Sequence, residues 1–137
     1  MPDRLSHGRG IALLRKYDFD YRPVHDIQSL YVEWEDLGDI LHIIRRRKRC
    51  YVTEMVMLEG DYRLRYFTLN EQCRFLLKED VSPDNHPHVE DHIPEGTVLS
   101  FHEGPHHGVI DFDQGIPLAF KDKFYQVDYD FIQLISR

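Results

Sequence analysis

The stretch EGTVLSFHEGPHHGVIDFDQGIPLAFK, residues 95–121, decides the fold that the sequence predicts. Its alternation of apolar and polar residues, broken by glycine and proline, is typical of short β-strands joined by tight turns. Three strands are expected, at residues 97–101, 109–112 and 116–120. Because Pro117 lacks an N–H group, the third strand is expected to lie at a sheet edge or to carry a bulge.

This meander resembles the first half of a cold-shock domain, a five-stranded barrel of the oligonucleotide-binding class. The G-x-V-x-x-F strand with which that family begins matches residues 96–101. Its G-x-G-x-I strand is matched imperfectly by residues 106–110, where His106 replaces the first glycine, and an acidic turn with glycine follows at 113–115. The resemblance covers about a fifth of the chain and implies a barrel scaffold.

The family's ligand face is not matched. Cold-shock domains bind single strands by stacking bases on aromatic side chains exposed on these strands. The equivalent positions in this chain are Ser100, His107, Val109, Pro117 and Ala119. Of these, His107 alone can stack on a base, so the resemblance implies a barrel without the usual base-stacking surface.

A helix is predicted over residues 36–49, with a strand over residues 40–44 as the alternative. Its apolar residues fall at i, i+3, i+4 and i+7, the spacing of one buried face: Leu37, Ile40, Leu41 and Ile44. Asp36 is expected to cap its beginning, and basic residues close its last turn, as the helix dipole favours.

A β-hairpin is predicted from residues 50–58 and 62–69, which are rich in β-formers and flank a short loop containing glycine. Weaker patterns indicate an edge strand at 17–21, a strand at 30–34, a short helix or a strand at 71–78, and a final strand at 125–131. In the second of these, Leu30, Val32 and Trp34 are expected to point inward.

Together these patterns predict a mainly β fold of the α+β class, a small β-barrel-like domain with one or two short helices. At 137 residues the chain is expected to be a single domain, 1–137. If there is an internal boundary, it is expected in the polar loop 81–94, between an N-terminal β/α part and the cold-shock-like meander.

Composition indicates a folded intracellular protein, cytoplasmic or nuclear. No signal peptide and no apolar run of membrane-spanning length stands out, so no membrane contact is expected. The two cysteines, Cys50 and Cys73, lack metal-binding spacing and are expected to be small buried residues. The net charge of −7 argues against a duplex-binding protein, which normally has a basic face.

Basic residues are concentrated in one run, and two more lie on the predicted hairpin. We expect this set to contact nucleic acid or an acidic partner, together with His107: Arg45, Arg46, Arg47, Lys48, Arg49, Arg63 and Arg65. The alternative for the run is purely structural, because a helix end favours positive charge.

A second cluster is rich in histidine. His86, His88 and His92 stand close together with carboxylates, which are ligand types that zinc favours, and they are the candidate metal ligands. The alternative is a solvated loop, and no cofactor is expected.

No catalytic motif is apparent, so a non-catalytic protein is expected. The first functional hypothesis is a binding module, a protein-interaction subunit of an intracellular complex, in which strand edges such as 17–21 or 125–131 pair with a partner. The alternative is a protein that binds single-stranded RNA or DNA through the basic run 45–49. A second alternative is a metal-binding protein that uses the histidine-rich loops. The oligomeric state is left open.

Overall fold

The computed structural model describes residues 6–104 and 115–137, and its helices and strands form two groups along the chain. Contacts divide the chain into a first unit, Met1–Thr68, and a second unit, Leu69–Arg137. The division precedes the loop 81–94, where the sequence placed any internal boundary. The expectation of a mainly β fold with one or two helices is confirmed, since the described residues contain two α-helices. No helix in the described ranges is long and apolar enough to cross a bilayer.

The first unit begins with helix α1, His7–Lys16. Ser6 caps it, because its side chain accepts a hydrogen bond from the Arg9 amide at 3.2 Å. The chain leaves the helix at Asp18, whose φ of 54° is left-handed. The edge strand predicted at 17–21 is therefore wrong: the Tyr17 amide still bonds to a helical carbonyl, and no strand forms there.

A three-stranded antiparallel sheet follows, in the order β1-β3-β2. Its strands are β1 (Gln28–Glu33), β2 (Cys50–Met57) and β3 (Asp61–Thr68). The predicted hairpin is confirmed as β2 and β3, with a shift of register between Val52 and Glu54. Leu30 and Val32 are buried as predicted, whereas Trp34 is 67% exposed. Trp34 begins a single 3-10 turn, Trp34–Asp36, so the alternation of β1 ends before it.

Helix α2, Leu37–Arg46, confirms the predicted helix with an earlier end. Ile40, Ile43 and Ile44 are its buried side chains, and Leu37 and Leu41 are partly buried. They pack in the core of the first unit with residues of α1, of the segment after it and of the sheet, including Leu13, Leu14, Phe19, Leu30, Val32 and Leu64.

Asp36 does not cap α2 with its side chain, in contrast to the prediction. Its carboxylate instead accepts hydrogen bonds from the Tyr17 hydroxyl and from Lys16 Nζ, the latter at 2.9 Å. The bond from Tyr17, followed by that from Lys16, holds the pKa of Asp36 below its usual value. The buried carboxylate thus ties the end of α1 to the beginning of α2.

The second unit contains a five-stranded antiparallel sheet in the order β7-β6-β5-β4-β8. Its strands are β4 (Arg74–Leu77), β5 (Val98–Phe101), β6 (Ile116–Phe120), β7 (Lys123–Val127) and β8 (Ile132–Ser136). Residues 71–78 thus contain a strand, the alternative that the sequence left open. One final strand at 125–131 is wrong, because a 3-10 turn, Tyr129–Phe131, separates two strands.

Pro117 lies in β6, between β5 and β7, and is buried, so the edge position predicted for it is wrong. Its carbonyl accepts a hydrogen bond from the His102 amide at 2.9 Å. The N and C=O groups of one strand residue point to the same side, so the missing N–H falls just beyond Phe101, where β5 ends. The proline is tolerated because no β5 ladder bond is lost.

The described strands of the second unit form an open sheet, with β7 and β8 at its two edges and no closed barrel. The β-barrel-like closure and the cold-shock resemblance therefore remain predictions. The strand expected at 109–112, with His107, lies outside the described residues.

Candidate functional site

The residues of the basic run 45–49 differ in what they contact within the first unit. Arg45 and Arg46 lie in the last turn of α2, where their positive charge interacts favourably with the helix dipole. Arg47 packs over the buried Gly10, since a Cβ built on that glycine would lie 2.4 Å from Arg47 Nη1. Lys48 Nζ lies 4.9 Å from the centre of the Tyr21 ring, a cation–π distance. Part of the run is therefore used to pack the first unit.

Arg63 and Arg65 lie on one face of the three-stranded sheet. We call this the arginine face; its members are Tyr31, Arg63 and Val56, which stand opposite one another, and Arg65 with Glu54. The Glu54 carboxylate lies 3.4 Å from Arg63 Nη2 and 3.6 Å from Arg65 Nη1. Two guanidinium groups thus share one carboxylate, which leaves a local excess of positive charge on an acidic chain.

Strand β2 is an edge of this sheet, because β3 is its only strand neighbour among the described residues. The Leu58 amide donates a hydrogen bond to the Asp61 carbonyl at 2.7 Å, so these two residues form a hydrogen-bonded pair. Such pairs alternate along antiparallel strands. The N–H and C=O groups of Met55 and Met57 therefore point away from β3, toward the open edge.

The same two residues have exposed side chains. Met55 is 48% and Met57 71% exposed, and the adjoining Leu58 is exposed as well. Natural edge strands are usually protected by charge, proline or covering loops. This edge instead combines backbone groups that no described strand pairs with and flexible apolar side chains, which are typical of adaptable binding surfaces.

His86 in the second unit is buried and held on both ring nitrogens. Nε2 accepts a hydrogen bond from the Asp128 amide at 3.2 Å, so Nδ1 carries the proton and donates it to Asn85 Oδ1 at 2.7 Å. The ring also packs edge-on against Phe131, with 4.8 Å between the ring centres. Burial, and then the charge of His88, lower the pKa of His86, so the ring is neutral at neutral pH.

The other two histidines do not join His86 in a metal site. His88 Nε2 donates to the Gln126 carbonyl at 2.7 Å, and His92 lies on the wall of a separate pocket. Over residues 6–104 and 115–137, no three His, Cys, Asp or Glu side chains are grouped so as to hold a metal. The structure therefore does not bring His86, His88 and His92 together as a metal site, and hydrogen bonds use ring nitrogens of His86 and His88 instead.

A pocket of about 440 Å³ lies between residues 91–93 and the β6–β7 hairpin. On its wall, Asp91 Oδ2 accepts hydrogen bonds from the Tyr125 hydroxyl at 2.6 Å and from Lys123 Nζ at 3.3 Å. The bond to Asp91, together with burial, raises the pKa of Tyr125 to about 12, while the Asp91 pKa is lowered. Two acids and two lysines line the pocket, so their formal charges cancel and favour neither anions nor cations.

The structure thus brings Arg63 and Arg65 together around Glu54, whereas Arg47 and Lys48 of the basic run contact other parts of the first unit. His107 lies outside the described residues. Sequence reasoning missed Met55, Met57 and Glu54. A usable signal existed, because two methionines at i and i+2 in a hairpin arm can face a free edge. No family model, curated protein or solved structure matches this chain.

Proposed function

We propose that the protein is a non-catalytic binding module that takes up an extended segment of another protein along the open edge of β2. The observation that supports this most directly is the edge at Met55 and Met57, where outward backbone groups and exposed apolar side chains coincide. A peptide that adds a strand to a sheet gains affinity from main-chain hydrogen bonds and specificity from alternate side chains. Both kinds of contact are available at this edge.

The size of β2 sets the length of the partner segment. The strand contains eight residues, Cys50–Met57. A segment of about six to eight extended residues, at roughly 3.3 Å each, would therefore cover the strand. Its alternate side chains would contact the two methionines on one face and Val56 and Glu54 on the other.

The backbone contact can be tested with Met57→Pro. The substitution removes an N–H group that points outward, so the ladder between β2 and β3 keeps its hydrogen bonds. Met57→Thr is the matched control, because it keeps the N–H group and removes the apolar side chain. Trp34, the single tryptophan, lies in the first unit, so its fluorescence can show that both variants remain folded.

The probe is a fluorescent peptide selected on the wild-type chain from an unbiased peptide library. We expect Met57→Pro to weaken its binding about tenfold or more and Met57→Thr to weaken it less. Amide hydrogens of Met55 and Met57 should become protected from exchange when the peptide is bound. Unchanged affinity of a folded Met57→Pro variant would contradict the proposal.

A second candidate is binding of single-stranded nucleic acid at the arginine face. The observation that favours it is Tyr31, which is 58% exposed and stands directly opposite Arg63, so a base could stack beside a cation. Binding of a labelled oligonucleotide at low and high salt tests it. Strong, salt-sensitive affinity that is lost when Arg63 and Arg65 are changed to Glu would favour this candidate.

A further inference from the structure

We propose that the partner segment carries a carboxylate, aspartate or glutamate, at the position opposite Val56, and that Arg63 recognises it. This inference rests on the proposed strand pairing at β2 and specifies the chemistry of the partner. The arginine face supplies the reason, because two guanidinium groups there share the single carboxylate of Glu54.

The hydrogen-bond donors of the Arg63 guanidinium are only partly satisfied by the described residues. Its Nη2 makes a long contact of 3.4 Å with Glu54, and its buried Nε has no hydrogen-bond partner in the part of the chain that the structure describes. An unmade bond at a buried donor costs free energy. Arginine binds carboxylates best in a two-pronged arrangement that uses two N–H groups at once. A second carboxylate would allow Arg63 to turn and donate from both Nε and Nη2.

The position of that carboxylate follows from the register of the sheet. Tyr31, Arg63 and Val56 stand in one row across β1, β3 and β2, and the next residue in that row would belong to the partner strand. With strands about 4.8 Å apart, its Cα would lie roughly 9.6 Å from that of Arg63. An arginine and a glutamate together span this distance, and the short Val56 side chain lies between them.

Glu54 then competes with the partner's carboxylate for Arg63. It holds Arg63 and Arg65 in the free protein, and the partner's carboxylate takes over Arg63 while Arg65 stays with Glu54. Removal of the Glu54 charge should therefore strengthen the binding of an acidic partner. A role of Glu54 that is merely structural would not strengthen binding in this way.

The test uses synthetic peptides of alternating threonine and valine, about eight residues long, with a flexible Gly-Ser tail for solubility. One central threonine, placed to face Val56, is replaced by Glu, Gln or Lys. The glutamate peptide should bind the wild-type chain about tenfold more tightly than the glutamine peptide, and the lysine peptide most weakly. The preference should decrease at high salt.

Two variants localise the effect. Arg63→Gln should abolish the preference for the glutamate peptide over the glutamine peptide. Glu54→Gln should increase affinity for the glutamate peptide alone. Equal affinity of the wild-type chain for the glutamate and glutamine peptides would overturn this inference and leave strand pairing intact. Failure of every peptide to bind, or binding that Met57→Pro does not weaken, would overturn the proposed function as well.

Discussion

Gly115 directly precedes β6, and an added methyl group at this position should strongly destabilise the second unit. Its φ of 146° is one that residues with a side chain rarely adopt. A Cβ built there would lie 2.5 Å from the Val127 carbonyl oxygen and 2.8 Å from the Val127 carbonyl carbon. These are backbone atoms of the neighbouring strand, paired with β6 through Ile116 and Val127, so no side chain can move aside.

The cost of Gly115→Ala has two parts. Forcing a side chain into a positive-φ conformation costs about 1–2 kcal/mol. Overpacking against atoms that cannot yield adds about 1–3 kcal/mol, because an unstrained contact needs roughly 3.5 Å. We therefore expect a loss of about 2–5 kcal/mol in the free energy of unfolding of the second unit. Gly96→Ala is the matched control: its φ is 88°, and no described atom lies within 4 Å of the added Cβ, so only the first part applies.

The assay must report on the second unit, where there is no tryptophan. Hydrogen exchange of the amides in β6 and β7, followed by NMR, gives the free energy of opening for that sheet. We expect Gly115→Ala to lower this free energy by at least about 1 kcal/mol more than Gly96→Ala does. If the two variants lose the same amount, the close approach of Gly115 to Val127 is not a constraint and the reasoning is refuted.

Three further predictions concern helices and titratable groups. Asp36→Asn removes the charged acceptor shared by the Lys16 and Tyr17 side chains and should lower the free energy of unfolding of the first unit by about 1–3 kcal/mol. Urea unfolding followed by Trp34 fluorescence measures this change, and an unchanged midpoint would contradict the prediction. Gly38→Ala, in α2 with no atom of the described residues within 4 Å of the added Cβ, should instead stabilise the first unit by about 0.5–1 kcal/mol in the same assay. The pKa of His86 is lowered, so the unfolded second unit binds more protons than the folded one. The contribution of His86 to the stability of the second unit is therefore fully present above its usual pKa of 6.5 and is lost as the pH falls below that value. When the free energy of opening is measured by hydrogen exchange at several pH values, His86→Gln should lose this pH dependence, whereas the substitution of the exposed His92 by Gln should keep it. Equal slopes of this free energy against pH in the two variants would exclude His86 as the source.

The candidate site could be anticipated only in part. Arg63 and Arg65 were identified from sequence, because alternate residues of a strand share a face and a basic pair there is visible in the pattern. Their shared contact with Glu54 depends on the register of β2 against β3, which shifts between Val52 and Glu54. A one-residue shift moves a side chain to the other face, and no local pattern records it.

The histidines also show that a local sequence pattern does not determine which side chains meet in the folded protein. Composition alone made residues 86–92 resemble a metal site, since imidazoles and carboxylates are close in the sequence. Whether they converge on one point depends on the path of the loop. The loop instead buries His86 beside Phe131 and directs His88 to the Gln126 carbonyl. Hydrogen bonds within the folded unit use the nitrogens that a metal would need.

The sequence by itself determined the elements whose signals are local: helix α2 from its apolar spacing, the β2–β3 hairpin from its turn, and the strand β5. These depend on contacts between residues only a few positions apart, so their pattern is written in the chain. The tertiary structure alone decided that Trp34 is exposed, that β8 pairs with β4 and that β2 is left as an open edge. Those outcomes depend on which distant elements compete to cover the same apolar surface, and that competition is resolved only when the chain has folded.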